Sequence, residues 1–417
     1  MRLTAEEQEM LSGERGNAVQ KAMELLVALG ECYDAERMVP VTSAHLVACN
    51  PIAAGKGGTR YIKDLAKCGA IFVVPTTTNP ACLELWDWKE MGFSQEIKQE
   101  QEALSEVIAQ MGGFVCNTCT PYLIGHTPLF REHVAWGESS AIIYANAVLG
   151  ARTNREGGPT GLASAITGRT PAYGYHLDEN RYGTIKIVVN VELHGDTDYG
   201  TLGYFTGKIV RDKVPIFTGI PLSVSHSNLK ALGAALATSG SAAHYHVVSV
   251  TPEAPSEEVA SGSRRIGSSD TIEFGPRELK KSEESLSAAE PEAADVVILG
   301  CPHASIDQVK HYANLLSGRK VRSNVEIWIL ISHALKQYAE DIGLAKIIEC
   351  AGARLVSNTC PSPMPREFFR ERGYRVMAVD SPKMIYYLST TKNVTCHYGS
   401  LSKFIDIVTK KGQPTVI

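Results

Sequence analysis

Long apolar runs are missing from this 417-residue chain, and no stretch approaches the roughly twenty residues that a membrane helix needs. Residues 1–9 are polar and acidic rather than basic and then apolar, so they do not resemble a signal peptide. No charge of one sign dominates, since 41 Lys and Arg face 45 Asp and Glu, which argues against a nucleic-acid-binding surface. We therefore expect a cytoplasmic protein with neither nucleic acid nor a membrane as partner.

Disulfide-rich and repetitive architectures are also excluded. Ten cysteines spread over so long a chain do not form a small disulfide scaffold, and no repeat of fixed period is visible. Instead, strands rich in Val and Ile alternate with helical stretches such as 17–30 and 333–350, a pattern typical of parallel sheets covered on both faces. The predicted strands are 70–74, 112–115, 185–193, 244–250, 296–299, 325–331, 353–356 and 375–379.

Composition divides the chain into three parts. A segment rich in Ser, Glu and Pro covers 251–292, and its last part keeps a helix-forming composition. We predict an N-terminal α/β region over 1–250, a polar and partly helical connecting segment over 251–292, and a C-terminal α/β region over 293–417. The predicted fold class is α/β, with several parallel or mixed sheets flanked by helices.

Three short cysteine loops each follow an apolar run that predicts a strand. The first, second and third cysteine loops are Cys116-Asn-Thr-Cys119-Thr-Pro, Gly300-Cys301-Pro-His303 and Asn358-Thr-Cys360-Pro. Ligands of open α/β sheets bind beyond the carboxyl ends of the strands, so three thiolates there would suit an iron–sulfur cluster. Cys119 is preferred to Cys116 because its Cys-Thr-Pro context is closer to the Cys-Pro of the other loops. Buried thiols, a zinc site and a redox pair stay open as alternatives.

Two glycine-containing segments suggest anion contacts. Gly55, Lys56 and Gly57 resemble a phosphate loop, but Asn50 and Gly57 occupy the positions of its first glycine and its hydroxyl residue. Nucleotide hydrolysis is therefore not expected, although backbone N–H groups of such a loop suit an anion. Arg152 and Arg155 flank a second glycine cluster and are typical of carboxylate or phosphate recognition. An ordinary turn and a surface ion-pair loop are the respective alternatives.

Two further features carry candidate chemistry. Glu138 and Ser139 precede an apolar helix and either serve the site or cap that helix. His303 is of interest because it adjoins Cys301, whereas the other scattered histidines show no metal-ligand spacing.

Taken together, the motifs resemble those of the aconitase X family. The segments that carry the resemblance are 117–123, 136–146, 148–158, 300–305, 358–361 and 380–383, and the similarity extends from residue 3 almost to the end. The resemblance implies an aconitase-like fold with the active site in a cleft between lobes. It also implies an iron–sulfur hydro-lyase, a dehydratase that removes water from a small hydroxy acid.

Residue by residue, the resemblance assigns cluster ligands and substrate contacts. The implied ligands are Cys119, Cys301 and Cys360, with a 4Fe–4S cluster preferred to a 2Fe–2S one. The expected catalytic residues are His303, Glu138 and Ser139. The expected substrate-binding residues are Gly55, Lys56, Gly57, Asn79, Pro80, Arg152, Arg155 and Lys383.

A partner is implied as well. In the superfamily a swivelling domain brings a serine that acts as the base, and we find no segment for it here, so a separate small subunit is expected. The run Thr153-Asn-Arg-Glu-Gly-Gly favours (R)-5-phosphomevalonate or a related anionic hydroxy acid as substrate, with cis-3-hydroxy-L-proline as the alternative. A rival of another class is a non-catalytic metal-binding partner subunit, in which the metal only stabilises the fold.

Overall fold

The structure is a computed structural model that describes residues 1–211 and 213–411. The helices in these ranges are α1 Ala5–Ser12, α2 Asn17–Cys32, α3 Pro51–Lys67, α4 Trp88–Met91, α5 Gln95–Gln110, α6 Ser139–Tyr144, α7 Gly158–Thr167, α8 Gly195–Val210, α9 His226–Gly240, α10 Glu257–Ala260, α11 Pro276–Leu286, α12 Ile306–Leu316, α13 His333–Asp341, α14 Leu344–Ala351, α15 Arg366–Glu371, α16 Pro382–Tyr387 and α17 Leu401–Val408. The strands are β1 Met38–Pro40, β2 Ala44–Leu46, β3 Thr76–Thr78, β4 Ala135–Trp136, β5 Arg169–Pro171, β6 Ile185–Val189, β7 Pro215–Thr218, β8 His246–Val247, β9 Thr271–Phe274, β10 Val296–Ala304, β11 Arg319–Val321, β12 Glu326–Ile331, β13 Arg354–Ser357, β14 Val376–Val379, β15 Thr395–Tyr398 and β16 Thr409–Lys411. Among the described residues, no helix is both long and apolar enough to cross a membrane.

The predicted α/β class with parallel and mixed sheets is confirmed, and the C-terminal strands lie close to the predicted positions. Several predictions differ from the structure. The strands predicted over 185–193 and 244–250 are shorter, Ile185–Val189 and His246–Val247, and three further differences have clear physical reasons. Residues 70–74 form no strand, because this run lies partly on the surface and pairing starts only after Pro75, at Thr76. Of residues 112–115, only Phe114 pairs, through an isolated bridge to Thr77. The helix predicted over 333–350 is two helices, because Gly343 adopts a left-handed φ of 80° between them.

Two parallel sheets position the site. The first has the strand order β3-β2-β4, and the second has the order β13-β12-β10-β14-β15. In parallel sheets all carboxyl ends lie at one edge, so the loops that leave these strands cluster there. The carboxyl-end loops of the two sheets line one cavity.

A third parallel sheet, with the order β8-β7-β6-β9, packs against α8 and α9. The segment 251–292 is partly helical as expected, through α10 and α11, and it also supplies the edge strand β9. The domain boundaries placed at its two ends remain a prediction.

A short N-terminal segment belongs to the core of the C-terminal sheet. Cys82, Leu83 and Phe93 pack with Val296 and other residues of the strands β10, β12 and β14. The ring of Phe93 stacks on that of Phe368 at 4.3 Å between centroids. The two sheets are therefore joined by a shared apolar core as well as by the cavity between their loops.

Helices α8 and α9 cross closely through glycines, and α9 carries a lysine that supports the second cysteine loop. A β-carbon on Gly203 would overlap the carbonyl oxygen of Leu232. We expect Gly203→Ala to lower the free energy of unfolding by about 2–3 kcal/mol, because neither backbone can yield without separating the helices. Urea denaturation measures the change. Gly267→Ala is the control, since its β-carbon would have no neighbour nearer than 3.7 Å, and an equal loss in both variants would contradict the prediction.

Candidate functional site

A cavity of about 410 Å³ lies between the carboxyl ends of the two parallel sheets. Its walls come from the loops after β2, β3 and β4 on one side and from the ends of β10, β13 and β14 on the other. The predicted site residues that line it are Asn79, Pro80, Cys119, Glu138, Ser139, Cys301, His303, Cys360 and Lys383. Motifs far apart in the chain thus contribute to one cavity.

All three candidate cysteine ligands line this cavity. Cys119 follows the bridged segment at the edge of the first sheet, Cys301 lies within β10, and Cys360 follows β13. One of the sulfurs accepts a hydrogen bond from a neighbouring candidate loop, since the backbone N–H of His303 donates to Cys119 Sγ at 3.3 Å. The three thiols therefore arrive singly, Cys119 and Cys360 on loops and Cys301 within β10.

Burial keeps these thiols protonated in the metal-free chain. It raises the pKa of Cys119 to about 11 and that of Cys301 to about 12, while the charge of Lys383 lowers both. Burial also raises the pKa of Cys360 well above its ordinary value. Metal binding by these sulfurs would release their protons, so affinity should increase with pH.

A buried ion pair joins the two halves of the cavity. Lys383 Nζ donates to Glu138 Oε1 in a very short contact and to Ser140 Oγ at 3.0 Å, and both charged side chains are nearly buried. Burial alone would raise the pKa of Glu138, but the charge and hydrogen bond of Lys383 outweigh it and lower that pKa to about 2. Burial likewise opposes the ammonium, yet Glu138 raises the pKa of Lys383 above its ordinary value. Both groups are ionised at neutral pH.

Glu138 is fully occupied by its neighbours. Its Oε1 also accepts from the N–H of Ser140, which makes it the N-cap of α6, and its Oε2 accepts from Asn79 Nδ2 at 2.9 Å. The predicted cap is therefore present, and the same side chain also lines the cavity. An ionised carboxylate with this many donors is a weak base, so its main action is to hold Lys383 and Asn79 in place.

His303 is enclosed by the cysteine loops. Its Nδ1 lies 3.0 Å from Thr118 Oγ1, and its Nε2 lies 3.1 Å from the carbonyl oxygen of Thr359. Burial lowers the pKa of His303 to about 4, so the ring is neutral at pH 7.

Sequence reasoning missed several buried polar residues that support these loops. Lys230 Nζ donates to the carbonyl oxygens of Pro302 and His303, at 3.2 and 2.9 Å. Glu84 accepts from the backbone N–H and the hydroxyl of Ser357, just before the third cysteine loop. Neither residue belongs to a recognisable motif. The apolar residues beside each of them in the sequence were the only sign that it is buried.

His45 is a further missed residue, in the centre of the first sheet. Its Nδ1 lies 2.8 Å from Thr77 Oγ1, and burial lowers its pKa to about 3. The Asn79 side chain lies near the ring and raises that pKa, but by less than burial lowers it. The ring thus stands behind a residue that lines the cavity.

Five predicted residues lie outside the cavity lining. Arg152 is buried and pairs with Asp178 and the carbonyl oxygen of His176, and Arg155 donates to the carbonyl oxygen of Ser241. Gly55, at φ 62°, interrupts α3, and Lys56 and Gly57 beside it are exposed. Arg152 thus forms an ion pair and Arg155 bonds a backbone carbonyl oxygen, while their contact with a substrate stays a prediction. Residues 55–57 lie within α3, and Ile52 and Ala53 of the same helix line the cavity.

Comparison with known proteins identifies the family. Models of the aconitase X first, second and third domains match residues 1–179, 183–284 and 294–410. The phosphomevalonate dehydratase large subunit of Methanothermobacter thermautotrophicus is 46% identical over 384 residues, 92% of this chain and 92% of that protein. The cis-3-hydroxy-L-proline dehydratase of Pseudomonas aeruginosa is 35% identical over 390 residues, 93% of this chain and 66% of that protein. The crystal structure of Thermococcus kodakaraensis aconitase X in its holo-form matches with a TM-score of 0.88 at 36% identity, covering 98% of this chain and 100% of that one. The chain therefore belongs to the aconitase X family of dehydratases.

Proposed function

We propose that this chain is the large subunit of an iron–sulfur hydro-lyase that dehydrates (R)-5-phosphomevalonate or a related anionic hydroxy acid. The convergence of three single cysteines and the Glu138–Lys383 pair on one cavity carries the proposal. The relative from Methanothermobacter thermautotrophicus, which bears the name of such a subunit, supports it over nearly the whole length of both chains.

The donor set fits an iron–sulfur cluster. Three cysteines from separate parts of the chain line the cavity, and thiolates are the usual ligands of such clusters. Each thiolate would bind a different iron, so three cysteines leave one iron of a 4Fe–4S cluster without a protein ligand. When bound, such a cluster supplies a Lewis acid that eases departure of the substrate's hydroxyl group.

The chain's own residues bind and orient the substrate. Lys383 faces the cavity as a cation, fixed by Glu138, and it stabilises the negative charge that develops on the substrate carboxylate. Asn79 is held by Glu138 through its Nδ2 and its Oδ1 is buried, so the side chain forms a fixed part of the cavity wall against which the substrate lies. Ser139, at the start of α6, adds a hydroxyl to the same wall.

The proton next to the carboxylate needs a base that we assign to a partner. Glu138 is too weak a base, because Lys383 lowers its pKa to about 2, and both ring nitrogens of His303 are engaged by Thr118 and Thr359. We assign the base to a serine on the swivelling domain of a separate small subunit. The 55–57 loop, near the mouth, then stays a predicted contact for an anionic substrate group.

Anaerobic purification with a co-expressed small subunit tests the function. We expect stoichiometric iron and sulfide, a visible cluster spectrum, and a kcat/KM for (R)-5-phosphomevalonate at least about 100-fold above that for cis-3-hydroxy-L-proline. Formation of the unsaturated product can be followed by absorbance. Preference for the hydroxyproline would select the alternative dehydratase, and a colourless, zinc-loaded protein would favour the non-catalytic metal-binding subunit.

A further inference from the structure

We infer that His303 is a positioning residue that clamps the three cysteine loops together, rather than an acid or base that acts on substrate. The inference rests on the proposed function only in its consequence for the cluster. The clamp itself is a property of the polypeptide.

One residue contacts all three loops. Through its side chain, His303 meets Thr118 of the first loop at 3.0 Å and the carbonyl oxygen of Thr359 in the third at 3.1 Å. Through its backbone N–H it donates to Cys119 Sγ at 3.3 Å, while it belongs to the second loop itself. The side chain is fully buried, so these contacts are protected from water.

The contacts define the role of each ring nitrogen. A carbonyl oxygen only accepts, so Nε2 carries the hydrogen that is donated to Thr359. Nδ1 is engaged by the Thr118 hydroxyl, which also contacts Thr120. Neither nitrogen is therefore left to exchange a proton with a substrate in the cavity.

The segment that carries His303 is itself held by hydrogen bonds from helix α9. Lys230 Nζ donates to the carbonyl oxygen of His303 and to Gln308 Oε1, and Gln308 Nε2 donates to Asp196. Lys230 thus fixes the backbone of His303, and the ring contacts Thr118 and Thr359. His303 can therefore hold the first and third loops in a set position relative to β10. Loss of the ring should loosen the first and third loops while β10 stays folded.

Substitutions that keep one ring contact at a time distinguish a positioning role of His303 from a role as acid or base. In His303→Gln the amide can still donate to the Thr359 carbonyl oxygen, and in His303→Asn an oxygen can still accept from Thr118. His303→Ala keeps neither, and His194→Asn is the control because that side chain is largely exposed, at 73%. Melting temperature shows whether each variant is folded.

Amide hydrogen exchange of the metal-free chain is the primary measurement. We expect His303→Ala to raise exchange of peptides containing residues 116–121 and 358–362 about tenfold or more, with Gln and Asn intermediate and His194→Asn unchanged. If His303→Ala is folded and these peptides exchange at the wild-type rate, the clamp is wrong. This holds whatever the iron measurement gives. Absence of iron from the wild-type chain would instead overturn the proposed function.

The rate of cluster loss to a chelator under anaerobic conditions is the second measurement. We expect loss about 10- to 100-fold faster in His303→Ala than in wild type, with partial rescue in the Gln or Asn variant. If all three variants keep the wild-type spectrum and rate of loss but lose turnover and its pH profile, His303 is an acid or base and the clamp is wrong.

Discussion

Replacing Cys119, Cys301 or Cys360 singly by Ser should abolish cluster loading, whereas Cys116→Ser should leave it intact. The first three thiols line the cavity, while Cys116 lies outside its lining and its Sγ contacts the carbonyl oxygen of Thr78 at 3.5 Å. Removing the Lewis acid takes several kcal/mol from transition-state stabilisation, so turnover should fall by about 1,000-fold or more. Iron and sulfide analysis with the visible spectrum, followed by turnover with the small subunit, measures both effects.

Cys32→Ser, at an exposed position, is the matched control for this series. Loss of the cluster in Cys116→Ser would show that the first loop binds through its other cysteine. Full iron content in any of the three ligand variants would remove that residue from the ligand set.

Lys383→Met should cost about 3–5 kcal/mol of folding stability and at least about 100-fold in turnover. The substitution leaves the carboxylate of Glu138 buried without its cation, and it removes the charge that faces the substrate. In the double variant Lys383→Met with Glu138→Gln, much of the stability should return, while turnover should not. A double-mutant cycle in urea at pH 7 measures the coupling. Lys403→Met, which breaks the half-exposed pair with Glu283, is the control and should cost less than about 1 kcal/mol.

The stabilisation by this pair should be independent of pH over a wide range. The folded pKa of Glu138 lies below its ordinary 4.5, so its contribution is complete above that value and lost as the pH falls toward 2. The folded pKa of Lys383 lies above its ordinary 10.5, so its contribution is complete below 10.5 and lost only at higher pH. In Lys383→Met the raising effect of burial on the pKa of Glu138 is no longer offset, so protonation should relieve the variant and the stability difference should shrink as the pH falls. A difference that instead grows as the pH falls from 9 to 6 would contradict the assignment.

The cysteine loops could be predicted because their signal is local. Each combines a strand with Cys and Pro or small polar residues, and parallel strands bring such loops to one edge. The Glu138–Lys383 pair could not be derived from spacing, because it depends on how two separate sheets face each other. Only the family resemblance placed both residues near the substrate.

The place of Arg152 could not be predicted from local composition. Arg152 stands beside glycines, as an anion-binding arginine would, but it lies outside the cavity lining, and two of its nitrogens donate to Asp178 and to the carbonyl oxygen of His176. The sequence does not indicate which way that loop faces. Lys230 and His45 were missed for the related reason that an isolated polar residue within a helix or strand carries no motif.

The apolar core shared between residues 82–93 and the C-terminal sheet has a consequence for biosynthesis. On the ribosome, Cys82, Leu83 and Phe93 emerge long before β10 and β12 exist to cover them. Until then these apolar side chains are exposed to water or bound by a chaperone, while the intervening sheet folds. An N-terminal fragment expressed alone would therefore be prone to aggregate, and the first cysteine loop meets its partner loops only when the chain is almost complete.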